Sequence, residues 1–358
     1  MNRLATGIKG PAMALSDGKP ARHLERGGYG LTRRAWLAGV AAVACASGWI
    51  ERGWGADDVV ELYPWMQAWV AQDGLDRGWL NRLFTGLAPY RPAISLMEHQ
   101  AEAQPYHVYR RMFVNKHVIA QGRIHYLEYH TLLQQIAGHF GVPGEFLIAL
   151  WGIESRYGTN TGKHPILRVL FTLAISYPRR AAFYQDQLRQ FLLLCREEGW
   201  EPRDALGSYA GALGQVQMMP GTLRRYAVDF DGDGKRDVFN DIDDVLASIA
   251  SFLRGNGWRT GGLYTLPLRR GENLDKIVSP DVENMRPWRE WSAQGVRVAA
   301  GQREPDPEEE AAMIMLEEES GPRYHAVFHN FRVVTRWNRS RRFAMVVQEL
   351  ALGIARAA

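Results

Sequence analysis

The chain has 358 residues, 46% of them hydrophobic and 23% charged, proportions that exclude disordered, collagen-like and polytopic membrane architectures. Its formal net charge is +4, yet the basic excess sits in the first 46 residues, where Arg3, Lys9, Lys19, Arg22, Arg26, Arg33 and Arg34 face only Asp17 and Glu25. The remainder is close to neutral and carries no nucleic-acid module, so nucleic acid is set aside as a partner; Cys45 and Cys195 alone make neither a disulfide scaffold nor a cysteine zinc site.

Residues 31–50 read LTRRAWLAGVAAVACASGWI. Arg33 and Arg34 precede an uncharged stretch that ends at Glu51, with the small residues Ala44-Cys45-Ala46 suited to cleavage. The stretch is shorter than the ~20 residues a spanning helix needs. This predicts a removed export signal over 1–46, of twin-arginine type, and a periplasmic protein, the competing readings being an ordinary Sec signal or an uncleaved anchor. Cys45 leaves a lipid-anchored form open, although Ala42 stands where a lipobox usually has Leu.

From Val59 to about Arg259 the apolar residues recur at three- and four-residue intervals, as in ELYPWMQAWVAQ, RIHYLEYHTLLQQIAGHF and DDVLASIASFLRGNGW. Cys195 falls on such an amphipathic helix and reads as a buried structural thiol. Residues 262–310 change to short alternating runs among turn formers, predicting a small β-containing segment. A short strand-like region then returns to a helix, RSRRFAMVVQELALGI. The ten histidines form no metal or triad set.

GVPGEFLIALWGIESRYG opens with Pro143 at a helix start and closes with Gly158 at a C-cap. Leu147, Leu150 and Glu154 share a face, with Trp151 beside them, so Glu154 rides on an apolar surface. A carboxylate there is either paired, with Arg156 the local candidate, or its pKa rises. A raised Glu is the group that protonates a leaving oxygen near neutral pH.

IALWGIESRYG, followed by GSYAGALGQVQMMPGT, YAVDFDGDGKRDVFNDIDDVLASIASFLRGNGW and NFRVVTRWNRSRRFAMVVQEL, resembles the lytic murein transglycosylase B family over roughly residues 105–260 and 325–350. The resemblance implies a mainly α fold: a lysozyme-like core near 140–260, an additional helical domain and the small β-containing segment. It implies cleavage of the β-1,4 bond between N-acetylmuramic acid and N-acetylglucosamine in peptidoglycan strands, by a monomer needing no cofactor for the chemistry. Glu154 matches the single acid/base, Ser208 a serine near it, Gln217 a substrate-contacting glutamine, and Asn338 an asparagine facing the cleft. Tyr109 matches a tyrosine of the sugar-binding wall. The chain departs from the family pattern at Met218, usually Phe, and at Trp337 and Phe343, usually Tyr.

Most glycosidases use two carboxylates, about 5–5.5 Å apart for retention or 6.5–9.5 Å for inversion. The family chemistry uses one, because the muramyl 6-hydroxyl attacks its own anomeric carbon and the tether replaces the second group. Two other outcomes are a hydrolytic muramidase, for which Glu201 and Asp204 lie nearest in sequence to Ser208, and a non-catalytic peptidoglycan-binding protein.

DFDGDGKRDVFNDID places Asp229, Asp231 and Asp233 at loop positions 1, 3 and 5, Gly234 at the sharp turn, the Lys235 carbonyl at 7 and Asp237 at 9. These are oxygen ligands for a hard cation, in EF-hand-like spacing. Asn240 occupies position 12, so the last ligand comes from farther on. Asp243 agrees with the family's extended loop, and Asp241 competes with it. Calcium with a structural role is expected; the competing reading is a metal-free turn paired with Lys235 and Arg236.

Overall fold

The computed structural model describes residues 58–98, 104–271, 274–279 and 282–356; the leader, with Arg33, Arg34 and Cys45, lies outside the described residues. Four helices come first: α1 (Val59–Leu62), α2 (Pro64–Asp73), α3 (Arg77–Phe84) and α4 (Arg91–Glu98). Tyr63 is extended because Pro64 follows it, and this splits the ELYPWMQAWVAQ pattern into α1 and α2. Next come α5 (Tyr106–Arg111), α6 (Lys116–Glu128), α7 (His130–Phe140) and α8 (Gly144–Ser155).

Beyond them lie β1 (His164–Pro165), α9 (Ile166–Ser176), a 3-10 turn at Pro178–Arg180, α10 (Ala181–Glu198), β2 (Leu206–Gly207), α11 (Pro220–Tyr226) and α12 (Ile242–Gly255). The chain continues through β3 (Thr265–Pro267), α13 (Leu274–Ile277), β4 (Arg286–Pro287), α14 (Trp288–Ala293), β5 (Glu310–Glu318) and β6 (Gly321–Val327). It closes with α15 (His329–Trp337) and α16 (Arg341–Arg356). The fold is mainly α, as expected.

Helix α8 organises the core. Leu147, Ile148, Ala149, Leu150, Trp151 and Ile153 are all buried, so it is apolar around its whole circumference rather than along one stripe. That is possible because α6, α7, α12 and α16 pack against it from different sides. Pro143 starts it, and it ends in left-handed backbone at Arg156 and Tyr157, with φ of 52° and 58°. Tyr157 folds back over the helix: a Cβ on Gly152 would lie 2.5 Å from its ring and one on Gly122 2.5 Å from its hydroxyl. Both glycines therefore make room for this tyrosine. Its hydroxyl donates to the Val118 carbonyl at 2.9 Å.

Cys195 is buried on α10, with its thiol pushed up to about 12 by burial, in keeping with a structural role. Strands β3, β6, β5 and β4 form one antiparallel sheet in that order. The β5–β6 hairpin runs in register from Ala312 opposite Val327 to Glu318 opposite Gly321. A second, smaller core containing Trp288, Trp291, Met313, Tyr324 and Phe328 packs with the sheet. The two longest strands thus fall just after the 262–310 segment. Ala311, Ala312, Met313 and Ile314 are buried in succession, so the start of β5 lacks the alternation that marks a half-exposed strand. Among the described residues no single helix is long and apolar enough to cross a membrane.

Candidate active site and acidic loop

Glu154 sits in the last turn of α8, half-buried, with an opening to solvent. Its Oε1 accepts the indole N–H of Trp337 at 2.8 Å. Burial pushes the carboxyl up to about 8, and the Trp337 hydrogen bond, which favours the charged form, partly opposes the shift. The local candidate Arg156 does not pair with it: the chain turns left-handed there, and its backbone N–H closes on the Gly152 carbonyl at 3.1 Å.

Tyr109 on α5 is half-buried, and its hydroxyl is pushed up first by burial and then by the nearby charge of Glu154, with Arg342 acting in the opposite sense. Asn338 follows α15 directly and is 7% exposed, and its Oδ1 has no hydrogen-bond partner. It adjoins Trp337, so the segment that touches Glu154 also carries this asparagine.

Gln217 and Ser208 belong to the loop between β2 and α11. Gln217 holds a left-handed φ of 49°, a strained conformation for a residue with a side chain. Its Nε2 donates to the carbonyls of Thr161 at 2.9 Å and Gly214 at 3.0 Å, which turns the amide oxygen into the group left for a ligand. Ser208 Oγ accepts the Ala212 N–H at 2.9 Å inside a tight turn and keeps its hydroxyl proton for donation. Glu201 and Asp204 lie exposed on a surface turn, where the Glu201 carbonyl accepts the Asp204 N–H at 3.1 Å.

One residue that motif reading passed over ties this region together. Gln215 Oε1 accepts the indole N–H of Trp151 on α8 at 2.8 Å, while its Nε2 donates to the Phe239 carbonyl at 2.8 Å. Its backbone N–H reaches the Val238 carbonyl at 2.8 Å. Gly158 is obligatory beside it, since a Cβ there would meet Gln215 Oε1 at 2.4 Å. Only the repeated Gln in GQVQ hinted at this role.

In the acidic loop Gly234 has the positive φ, 90°, that position 6 demands. Carboxylate oxygens of Asp229, Asp231 and Asp244 lie within 4.8 Å of one another. Asp233 and Asp243 lie outside that close group. Asp244 is 1% exposed and accepts the N–H groups of Phe230 and Asp237 at 2.7 Å each. Asp243 stays close enough to Asp241 and Asp231 for their charges, added to burial, to raise its pKa.

The Asp233 carboxylate caps the Lys235 N–H at 2.8 Å, and Asp237 caps Phe239 and Asn240 at 2.9 and 3.0 Å. Arg236 turns away from the loop to Glu197, 3.1 Å distant, and to Glu198. Crowded carboxylates deprived of that countercharge suit a hard cation, so the donor set fits calcium, with Asp244 added to the expected ligands.

The Transglycosylase SLT domain family model matches residues 61–352. Membrane-bound lytic murein transglycosylase B of Escherichia coli K12 is 30% identical over 299 residues, 80% of each chain. The Escherichia coli lytic transglycosylase Slt35, solved in complex with calcium, is 28% identical with a TM-score of 0.75, covering 82% of this chain and 92% of its own. SltB3 of Pseudomonas aeruginosa, solved with NAG-NAM-pentapeptide, is 30% identical with a TM-score of 0.73, covering 82% and 78%. With the match running from α1 into α16, and the half-buried Glu154 inside it, the chain belongs to the lytic transglycosylase family of peptidoglycan-cleaving enzymes.

Proposed function

We propose that the protein cleaves the β-1,4 bond between N-acetylmuramic acid and N-acetylglucosamine and leaves a 1,6-anhydromuramyl end, with Glu154 as acid and then base. The observation that carries this is the Glu154 carboxyl itself, reachable from solvent yet pushed up to about 8, so it holds its proton at neutral pH. Glu154 gives that proton to the departing N-acetylglucosamine O4 as the glycosidic bond breaks. The resulting carboxylate, steadied by Trp337, takes the proton of the muramyl 6-hydroxyl while its oxygen bonds to the anomeric carbon. The acid is regenerated and no water is consumed.

Asn338 Oδ1 and Gln217 Oε1 supply acceptors for N-acetyl N–H groups, Ser208 supplies a donor, and Tyr109 supplies an aromatic wall. The exposed positions of Glu201 and Asp204 speak against either one activating a water for hydrolysis. The test is digestion of purified peptidoglycan followed by mass spectrometry. Fragments one water lighter than their reducing counterparts support the reaction; reducing ends alone would refute it.

The acidic loop, on this reading, holds calcium through Asp229, Asp231 and Asp244, with Asp233, the Lys235 carbonyl and Asp243 as further ligands. Its part is structural, since Asp244 already joins the start of α12 to Phe230 and Asp237. The 1–46 leader, with Arg33-Arg34, directs twin-arginine export to the periplasm, where the protein works as a monomer. Lipidation at Cys45 is the alternative to cleavage after Ala46. Metabolic labelling with a fatty acid distinguishes the two.

A further inference from the structure

The segment around Trp337 and Asn338 carries four guanidiniums, those of Arg336, Arg339, Arg341 and Arg342. One carboxylate answers them. Glu317, near the end of β5, receives Arg342 Nη2 at 3.1 Å and Arg341 Nη2 at 3.7 Å, both on Oε1. Glu317 Oε2 and Arg342 Nε are buried without a hydrogen-bond partner, so the corner meets solvent through the other guanidinium nitrogens of Arg341 and Arg342. Arg336 and Arg339 are exposed, and no ion pair joins them among the described residues.

The corner is firmly built: His107 Nδ1 lies 3.0 Å from the Glu317 carbonyl and fastens α5 to β5. Arg341 and Arg342 open the long helix α16, whose positive dipole end adds to the field. Both keep 21% of their side-chain surface open. Trp337, four residues before Arg341, donates to Glu154 at 2.8 Å, so this positively charged segment is anchored on the candidate acid.

A glycan of N-acetylated sugars is neutral, so positive charge at its cleft has no partner on the sugar rings. Peptidoglycan carries its carboxylates on the peptides attached to the muramyl residues. We infer that the Arg341–Arg342 corner is a subsite for a carboxylate of the peptide borne on a muramyl residue bound beside Glu154. A guanidinium with a free N–H edge binds a carboxylate in preference to an amide, because the pair is charge-assisted and geometrically matched. The enzyme therefore selects strands whose peptides keep their carboxylates free. This rests on the cleavage reaction proposed above.

The test uses two soluble glycan–peptide oligomers, identical except that the peptide carboxylates are free in one and amidated in the other. The wild-type enzyme is expected to favour the free acid about tenfold in kcat/KM, mainly through KM. The preference shrinks in high salt. In the Arg341→Gln/Arg342→Gln variant the ratio of the two substrates falls toward one, and Arg342→Lys recovers part of it. Equal wild-type rates on the two oligomers, or a ratio the double variant leaves intact, overturn the subsite. Since the first of these needs no variant, a misfolded double variant does not rescue the idea. Absence of anhydro products from both oligomers overturns the reaction itself, and the subsite with it.

Discussion

Trp337 and Glu154 stand 183 residues apart in sequence and share one hydrogen bond of 2.8 Å. The indole donates to the charged form of the carboxyl, so it lowers a pKa that burial raises. Trp337→Phe keeps the ring and deletes the donor. The pH at which activity falls off on the alkaline side is expected to rise by about one unit. A pH profile of kcat/KM measures it, and Trp337→Tyr, which brings back a donor, is expected to return part of the shift.

The same buried carboxyl leaves a mark on stability. Its pKa is about 8 in the folded protein against 4.5 for an ordinary Glu. Below 4.5 both states hold the proton and Glu154 costs nothing through ionisation. As pH rises toward 8 the unfolded chain ionises first, and stability is lost progressively. Glu154→Gln is therefore expected to melt higher than wild type, by a margin that is near zero at acid pH, grows through this window and levels off above it. Melting temperatures across the range test this, and the variant is expected to yield no anhydro products at any pH.

Gln215 fills two hydrogen-bonding needs with one amide. Gln215→Leu leaves the Trp151 indole N–H and the Phe239 carbonyl without their partner, at about 1–3 kcal/mol each. Thermal unfolding is expected to shift down by several degrees. Gln217 follows two residues later in the same loop, so KM is expected to rise as well. A variant with unchanged melting and unchanged KM would remove Gln215 from this role.

For the acidic loop, added calcium is expected to raise the melting temperature and a chelator to lower it. Saturation at a hundredfold excess over Kd adds about 2.7 kcal/mol. Asp244→Asn is expected to abolish more of that gain than Asp243→Asn, since Asp244 belongs to the close carboxylate group. Titration calorimetry on the two variants ranks them.

The helices were readable because their faces repeat. Glu154 was readable because a carboxylate set among apolar residues on a helix face needs a reason. Gly234 was readable because position 6 of such a loop requires positive φ, which it has. Asp244 was not: loop counting pointed to Asp243, whereas the helical twist at the start of α12 swings the next residue inward, where it takes two backbone N–H groups. The partner of Glu154 was equally hidden. In the sequence Trp337 stands out only as a departure from Tyr, and a contact made at long range leaves no periodic trace. The β5–β6 hairpin shows in the sequence only as a short strand-like region before the last helix, because burial on both faces erases the alternation at the start of β5.

The acid is also assembled late. Trp337 and the α16 helix that packs on α8 come from the last part of the chain, whereas Glu154 lies near its middle. A chain that stops before Trp337 lacks the one hydrogen-bond donor on this carboxyl among the described residues and a packing side of the helix that carries it. On the proposed role of Glu154, lytic capacity is expected only of the finished molecule, and clipping the C-terminal helix is expected to abolish it.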